Sequence, residues 1–452
     1  MVGGKWSGLL SDSVCVTRFT RFALRGAKAE PPWQRTLAQG LTILCKPLFL
    51  KEIPMQRRHF ISLSLLPLAL AASQIASAGS AGSYPEYRVT IVGPANSRAA
   101  DINNAGVVIG TYPIGTGGFT TGSFINRGSG VVNLGTLGGQ SANVVAINDK
   151  GQILGNRITT GGQQRGFIYY HGSYRDLNSP PGQPGTYVDI NNAGYTVALS
   201  FIETAPGSTS LRSFLRDPSG HFRNIGALPG EDSVTQAEAL NNRNQIVGES
   251  GPFIAPDPPL RAFLWTKGSI RDLGDFGFTP NYALGINDRG QVTGYASVPT
   301  GFRNQVAFIY SNGRLIDIDR RPPTADRFSE GESINNLGHV VGYSNHLSGF
   351  VYRGHRMESL NALVDPKLGW NIQFPRAIND KGQIAADAVR GGVQYAVRLD
   401  PIRPYLEAAP VLESEDELGP VAQSGLTAAQ EVAEAKAEVE AQAKEVVKAV
   451  GQ

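Results

Sequence analysis

Cysteine is nearly missing. Cys15 and Cys45 are the only two in 452 residues, and both precede residue 55. No disulfide framework and no thiolate metal site is therefore available to the remaining chain. Charge is also scarce, at 17 % of residues, with a net value of +3. That small surplus hides a segregation: residues 1–54 lean basic, residues 406–452 lean acidic, and the middle is close to neutral. A neutral body without a basic patch excludes a nucleic-acid partner from the expectations. No apolar run in the body is long enough to span a bilayer, so no integral membrane segment is expected in the mature form. What the chain has in excess is glycine, 54 residues, with 28 prolines. Frequent turn formers imply many short strands.

Met55 opens "MQRRHFISLSLLPLALAASQIASAGS". Arg57 and Arg58 form a positive leader, Phe60 to Ala72 an apolar stretch, and Ala76-Ser77-Ala78 a small-residue cleavage site. This pattern is that of a secretory signal over residues 55–78, and the paired arginines resemble a twin-arginine export signal. Translation is expected to start at Met55, with residues 1–54 a mis-assigned or disordered extension. Export to the periplasm or the extracellular space follows.

The body repeats itself. An apolar-Asn pair recurs at Ile102-Asn103, Ile147-Asn148, Ile190-Asn191, Leu240-Asn241, Ile286-Asn287, Ile334-Asn335 and Ile378-Asn379, at intervals of 45, 43, 50, 46, 48 and 44 residues. Periods in the forties belong to propeller blades and some helical arrays. Short β-branched runs punctuated by glycine, with no helical periodicity, leave the propeller. Each unit reads as four strands, a to d. The Ile-Asn pair ends strand a, "QILG"-like runs make strand b, and "RGFIYY", "RAFLW" or "VAFIY" make strand c. Phe124, Phe167, Phe214, Phe263, Phe308 and Phe350 hold one position of strand c, as a core between neighbouring sheets requires.

The turn after each Ile-Asn pair has a backbone explanation. Asn103, Asn148, Asn191, Asn241, Asn287, Asn335 and Asn379 occupy the first position of a type I turn. The fourth position needs a left-handed backbone, which Gly106, Gly151, Gly194, Gly290, Gly338 and Gly382 supply at no steric cost. Asn244 is the exception, and Asn tolerates that conformation next best. These positions are read as structural.

The ends of the repeat region complement each other. "YRVTIVG", residues 87–93, is a strand d without a, b or c before it, and "YAVRLD", residues 395–400, is a strand c without d after it. Pairing the two completes a seventh unit and closes a ring. The expected fold is all-β: a seven-bladed β-propeller over residues 79–403, closed by its N-terminal strand. An acidic linker, 404–426, and a helical tail, 427–452, follow. In the tail Thr427 and Gln430 are placed for a capping box and Val432, Val439 and Val446 recur every seven residues. The seam residues between them, Ala435 and Gln442, are too small or polar to hold a partner tightly, so a monomer with at most weak tail association is expected.

The runs Val132-Asn133-Leu134-Gly135-Thr136-Leu137-Gly138-Gly139 and Arg261-Ala262-Phe263-Leu264-Trp265, with the repeated "IN-D-x-G-Q" turn, resemble the bacterial extracellular HAF-repeat proteins. The resemblance spans residues 84–401 and implies an exported protein. The chain departs from that pattern where a His would stand two residues before the strand-c Phe. Arg165, Arg212 and Arg261 stand there in units two to four.

Chemistry is thinly marked. The a–b and c–d turns share one face, and the longer b–c and d–a connections share the other, where binding usually resides. Arg165, Arg212 and Arg261 reach that face and are candidate ligands for a carboxylate or sulfate. Asp101 and Asp189 precede the Ile-Asn pair on innermost strands and are candidate paired carboxylates for acid–base catalysis. Asp149, Asp288 and Asp380 loosely resemble Asp-box residues but are turn residues first. No histidine pair has metal-ligand spacing, and no Gly-rich phosphate cradle or nucleophile elbow occurs, so no metal and no cofactor is expected. The expected function is non-enzymatic binding of a glycan or an envelope or surface protein. An extracellular polysaccharide hydrolase or lyase with its site at the channel mouth is the alternative, and a structural surface protein without a dedicated pocket a third reading.

Overall fold

The computed structural model describes residues 85–403, apart from 116–119, 183–184, 231–232, 253–258, 299–303 and 323–325. The expected leader (1–78), acidic linker and helical tail lie outside the described residues.

Seven four-stranded antiparallel sheets form a ring. Six are continuous in sequence: 98–135, 141–176, 186–224, 233–272, 281–317 and 329–359. The seventh takes strands a to c from 371–401 and its outer strand from Tyr87–Ala95. Tyr87 pairs with Pro401, Val89 with Leu399 and Ile91 with Val397, antiparallel. The expected closure is what the chain forms. Further ties lock it: the Ala396 N–H donates to Ser97 Oγ at 2.9 Å, and the Ile402 N–H to Glu86 O at 2.8 Å. Tyr87 is buried in a core it shares with Leu363, Ile384 and Leu399. Each strand a touches strand a of both neighbouring blades, around the whole circle.

Side-chain volume sets the blade spacing. Phe124, Phe167, Phe263, Phe308 and Phe350 are fully buried. Each faces a strand-b glycine across the sheet, as Phe124 faces Gly110. A Cβ at Gly110 would lie 2.6 Å from the Phe124 ring and 2.2 Å from the Arg98 carbonyl, so the ring can lie flat there only over hydrogen. Blade 7 solves the same problem with the volumes shifted: Ala386 faces Val397. Burial of each Phe stabilises the ring by roughly 2–3 kcal/mol.

Every strand a also carries a β-bulge two residues before the apolar-Asn pair, as between Ala99 and Asp101, or Ala237 and Ala239. The extra residue is Ala100, Val145, Val188, Glu238, Leu284, Glu332 or Arg376. So mixed a set leaves no sequence signature. The bulge twists strand a and re-aims the residue that follows it.

Two connections depart from the expected long loops. The run "NRITTGGQQR" closes tightly, with the Thr159 N–H donating to Gln163 O at 2.9 Å. "ETAPGSTSLR" extends blade 3 as a hairpin, Thr196–Ala205 against Ser208–Arg216. Main-chain pairing continues there because nothing in the run removes a donor until Pro206.

Candidate functional site

The seven a–b turns surround one end of the central channel and enclose a space of about 190 Å³. Each turn is built as its residues dictate. In the first, the Gly106 N–H donates to Asn103 O at 2.9 Å, and Asn103 Oδ1 accepts from Ala105 N and Val107 N at 3.1 and 3.0 Å. The fourth positions are left-handed throughout, with φ from 73° to 84° at the glycines and 58° at Asn244.

The side-chain amide left over by this turn does something the turn itself does not need. Asn103 Nδ2 donates to the backbone carbonyl of Asn148 in the next blade. Asn148 does so to Asn191, and the relay continues through Asn241, Asn287, Asn335 and Asn379 back to Asn103. All seven bonds measure 2.9–3.1 Å. These Asn are 3–4 % exposed.

A second ring lies beside it. The next residue in each turn is Asn104, Asp149, Asn192, Asn242, Asp288, Asn336 or Asp380. Its backbone N–H donates to the side-chain Oδ1 of its counterpart in the following blade, at 2.8–2.9 Å in all seven cases. Each Asp stands between two Asn, so no carboxylate meets another. Asp380 Oδ2, for example, accepts from Asn336 Nδ2 and Asn104 Nδ2, both at 3.0 Å. Sequence reasoning missed this double clasp. Its signal was present: all seven positions are Asn or Asp, a restriction that a type I turn does not impose on its second residue.

Asn244 takes on a further role. In blades 2, 4, 5 and 7 the turn Asn also donates to a Gln at the start of strand b, as Asn241 does to Gln245 Oε1 at 2.8 Å. Blade 3 has Tyr195 there, which offers no amide oxygen. Asn191 Nδ2 instead reaches Asn244 Oδ1 of the next blade, at 2.7 Å.

Asp101 and Asp189 lie on the channel wall in blades 1 and 3, and each bridges two blades. Asp101 accepts from Ile102 N at 2.7 Å and from Ile147 N of blade 2 at 2.8 Å. Asp189 accepts from Ile190 N and from Leu240 N of blade 4, both at 2.7 Å. Asp189 keeps some access along the channel but is walled in by protein. That burial, with a smaller push from Asp101, raises its pKa to about 7 against the hydrogen bonds that lower it. The two carboxylates are staples between blades, separated by Ala146 of blade 2.

The three arginines have separate settings. Arg165 reaches Gln163 Oε1 at 3.1 Å, Arg212 donates to Ser210 and across to the carbonyl of Ser233, and Arg261 ion-pairs with Asp272 at 2.8 Å. Among the described residues no hydrogen-bond partner is common to them. Nor does any group of three His, Cys, Asp or Glu there have the arrangement to hold a metal ion. No helix among the described residues is long and apolar enough to cross a membrane.

The other end of the channel wall differs. In blades 4 to 6, strands a and b carry Glu238, Glu249, Glu330 and Glu332 and no Lys or Arg. Tyr282 and Tyr295 stack at 4.7 Å in blade 5, and Tyr343 packs on Phe374 at 5.4 Å across blades 6 and 7. Burial, then Glu249, pushes the Tyr282 pKa up to about 12. Burial raises that of Glu249 well above the usual carboxylate range, with Glu238 adding to it. These residues were not singled out from the sequence, although four acids without a base over three consecutive units was a readable sign.

No known family profile and no curated protein matches the chain. Solved structures similar to it are β-propellers in part by their own descriptions. The β-propeller domain of the trilobed protease from Pyrococcus furiosus is 11 % identical, with a TM-score of 0.47, over 68 % of this chain and 97 % of that one. YCF48 bound to a D1 peptide is 10 % identical, TM-score 0.43, over 70 % and 97 %. TolB from Acinetobacter baumannii is 12 % identical, TM-score 0.34, over 75 % and 69 %. The fold assignment rests on the strand pairing itself: seven blades, closed head to tail.

Proposed function

We propose that the protein is an exported, non-enzymatic binding module that takes a glycan or a protein of the cell envelope on the face opposite the Asn turns. One observation carries this reading. At the turn end of the channel the polar groups are consumed in blade-to-blade rings, whereas the b–c and d–a connections on the opposite face differ in sequence from blade to blade. They include a tight turn in blade 2, a projecting hairpin in blade 3 and a helical turn, Leu360–Leu363, after blade 6. Variation set on a rigid frame is the usual arrangement of a recognition surface. The HAF-like repeat pattern and the signal-like stretch at 55–78 support export. Asp101 and Asp189 support binding over hydrolysis, because both oxygens of each already hold backbone N–H groups.

A screen of the full chain against glycans and envelope proteins tests the reading. Replacing the blade-3 hairpin tip, Glu203 to Ser208, by a two-residue turn is expected to weaken a ligand found this way without lowering the melting temperature. Polysaccharide turnover abolished by Asp101→Asn or Asp189→Asn would establish the hydrolase instead.

A further inference from the structure

Glu249 has no evident structural use. It is 5 % exposed, yet its Oε2 has no hydrogen-bond partner. A buried carboxyl in that condition destabilises the fold, so a purely architectural position would favour an apolar residue or a paired one. Asp387, at the corresponding place in blade 7, is such a paired residue: it ion-pairs with Arg376 at 2.8 Å and accepts from Ala99 N at 2.8 Å.

The surroundings of Glu249 are acidic and aromatic. Strand a of its own blade brings Glu238, whose Oε1 accepts from Gln236 at 2.8 Å. Strand c brings Arg261, which is held by Asp272. Strand a of blade 5 brings Tyr282, with Tyr295 stacked on it, and the charge of Glu249 is felt by both rings. Its carboxyl is therefore turned into the seam between blades 4 and 5. Among the described residues, Arg261 is the one cation on these strands, and Asp272 holds it. A second aromatic pair, Tyr343 with Phe374, packs at 5.4 Å across blades 6 and 7.

We propose that this seam takes the protonated amine of an amino-sugar glycan, with Glu249 and Glu238 as its anionic partners and Tyr282 and Tyr295 as its stacking surface. An ammonium supplies three N–H donors, which meet the orphaned carboxyl oxygen, and aromatic faces attract both a cation and the apolar face of a sugar ring. Aromatic pairs recurring over blades 5 to 7 suit successive sugar rings better than a single side chain. Burial favours the protonated form of Glu249 in the ligand-free protein. The arriving ammonium favours its carboxylate, so the Glu249 proton passes to the buffer as the ion pair forms.

The inference rests on the binding role proposed above and narrows it. Calorimetry on the full chain tests it, comparing a glucosamine oligomer with an N-acetylglucosamine oligomer of the same length, in two buffers of different ionisation heat. The free-amine oligomer is expected to bind roughly tenfold tighter, with proton release. Both the preference and the release should vanish in Glu249→Gln, which keeps the shape of the protonated acid, and a melting temperature no lower than that of wild type confirms its fold. Equal affinity for the two oligomers, or a preference that survives Glu249→Gln, overturns the inference and leaves glycan binding standing. A lysine-rich peptide that binds where both oligomers do not overturns the inference and limits the function to a protein ligand.

Discussion

The two ends of the channel use polar residues in opposite ways. At the turn end, Asn and Asp donate and accept in closed circuits, each group paired with the next blade. Along blades 4 to 6 at the other end, acids gather without a base on their strands, and Glu249 is buried with an oxygen left over. The first arrangement replaces an apolar hub. A channel lined by small loops cannot pack like a core, so hydrogen bonds carry the contact between blades there, and each counts because its partner is buried. The second arrangement lowers stability, and natural chains concentrate such departures where they bind or react.

If that contrast is right, equally conservative changes at the two ends should act with opposite sign. The largest effect belongs to the ring. Asn287 accepts from Arg289 N and Gln291 N and donates to Asn335 O and Gln291 Oε1, at 2.8–3.0 Å. Asn287→Ala removes all four and leaves the Asn335 carbonyl only its own turn bond from Gly338 N, so chemical denaturation should show a loss of about 3 kcal/mol. Glu249→Gln should do the reverse. A folded-state pKa raised above the unfolded value means that wild-type stability is lost as pH rises through that titration, while the Gln variant stays level. The melting temperature of the variant should therefore exceed that of wild type by a margin that widens as pH rises. A ring variant that melts like wild type, or a Glu249→Gln variant that melts lower, breaks the comparison.

Asp189 sharpens it, since it belongs to the stapled end yet resists ionisation. Its pKa rises from the model-compound value of 3.8 to about 7 in the fold. The sign follows from linkage: protons bind the folded form more tightly, so stability falls as pH climbs from about 4 to about 7. Channel water screens part of the effect, which leaves roughly 1–3 kcal/mol. Asp189→Asn should flatten the profile over that window. It should also weaken the fold at low pH, because the amide loses one acceptor for Ile190 N or Leu240 N. Denaturant melts of both proteins across this range read out the difference directly.

The architecture was legible in the sequence because a repeat multiplies weak signals. One Ile-Asn turn is an ordinary hairpin, but seven in register, with a lone strand d at the front and a lone strand c at the back, admit only a closed ring. The Phe positions were legible for the same reason. The bulge was not, since Ala100, Glu238 and Arg376 can all fill it. The clasp between blades was hidden differently: a turn motif explains Asn103 and Gly106 within one hairpin, and nothing in that local account asks where Asn103 Nδ2 goes. Arg165, Arg212 and Arg261 aligned in the repeat but met different neighbours, so shared position did not make a shared site. The acids of units four to six could be counted in the sequence, but the meaning of Glu249 could not be read there, since it depends on Glu238 and Tyr282 across strands.

Asn244 gives the finest test, because two explanations of one residue predict different signs. If Asn244 is merely tolerated at a left-handed position, Asn244→Gly relaxes its backbone and stabilises the fold slightly. The structure gives it a task instead, accepting from Asn191 Nδ2 in place of the oxygen that Tyr195 lacks. Asn244→Gly should then cost about 1 kcal/mol through the lost buried partner. Tyr195→Gln should restore a local acceptor, as Gln245 provides for Asn241. The two substitutions together should lose less than the sum of each alone, with a coupling of about 0.5–1 kcal/mol in a double-mutant cycle. Additive effects would mean that Asn191 finds its partner elsewhere, and the ring would then be a set of independent turns that happen to touch.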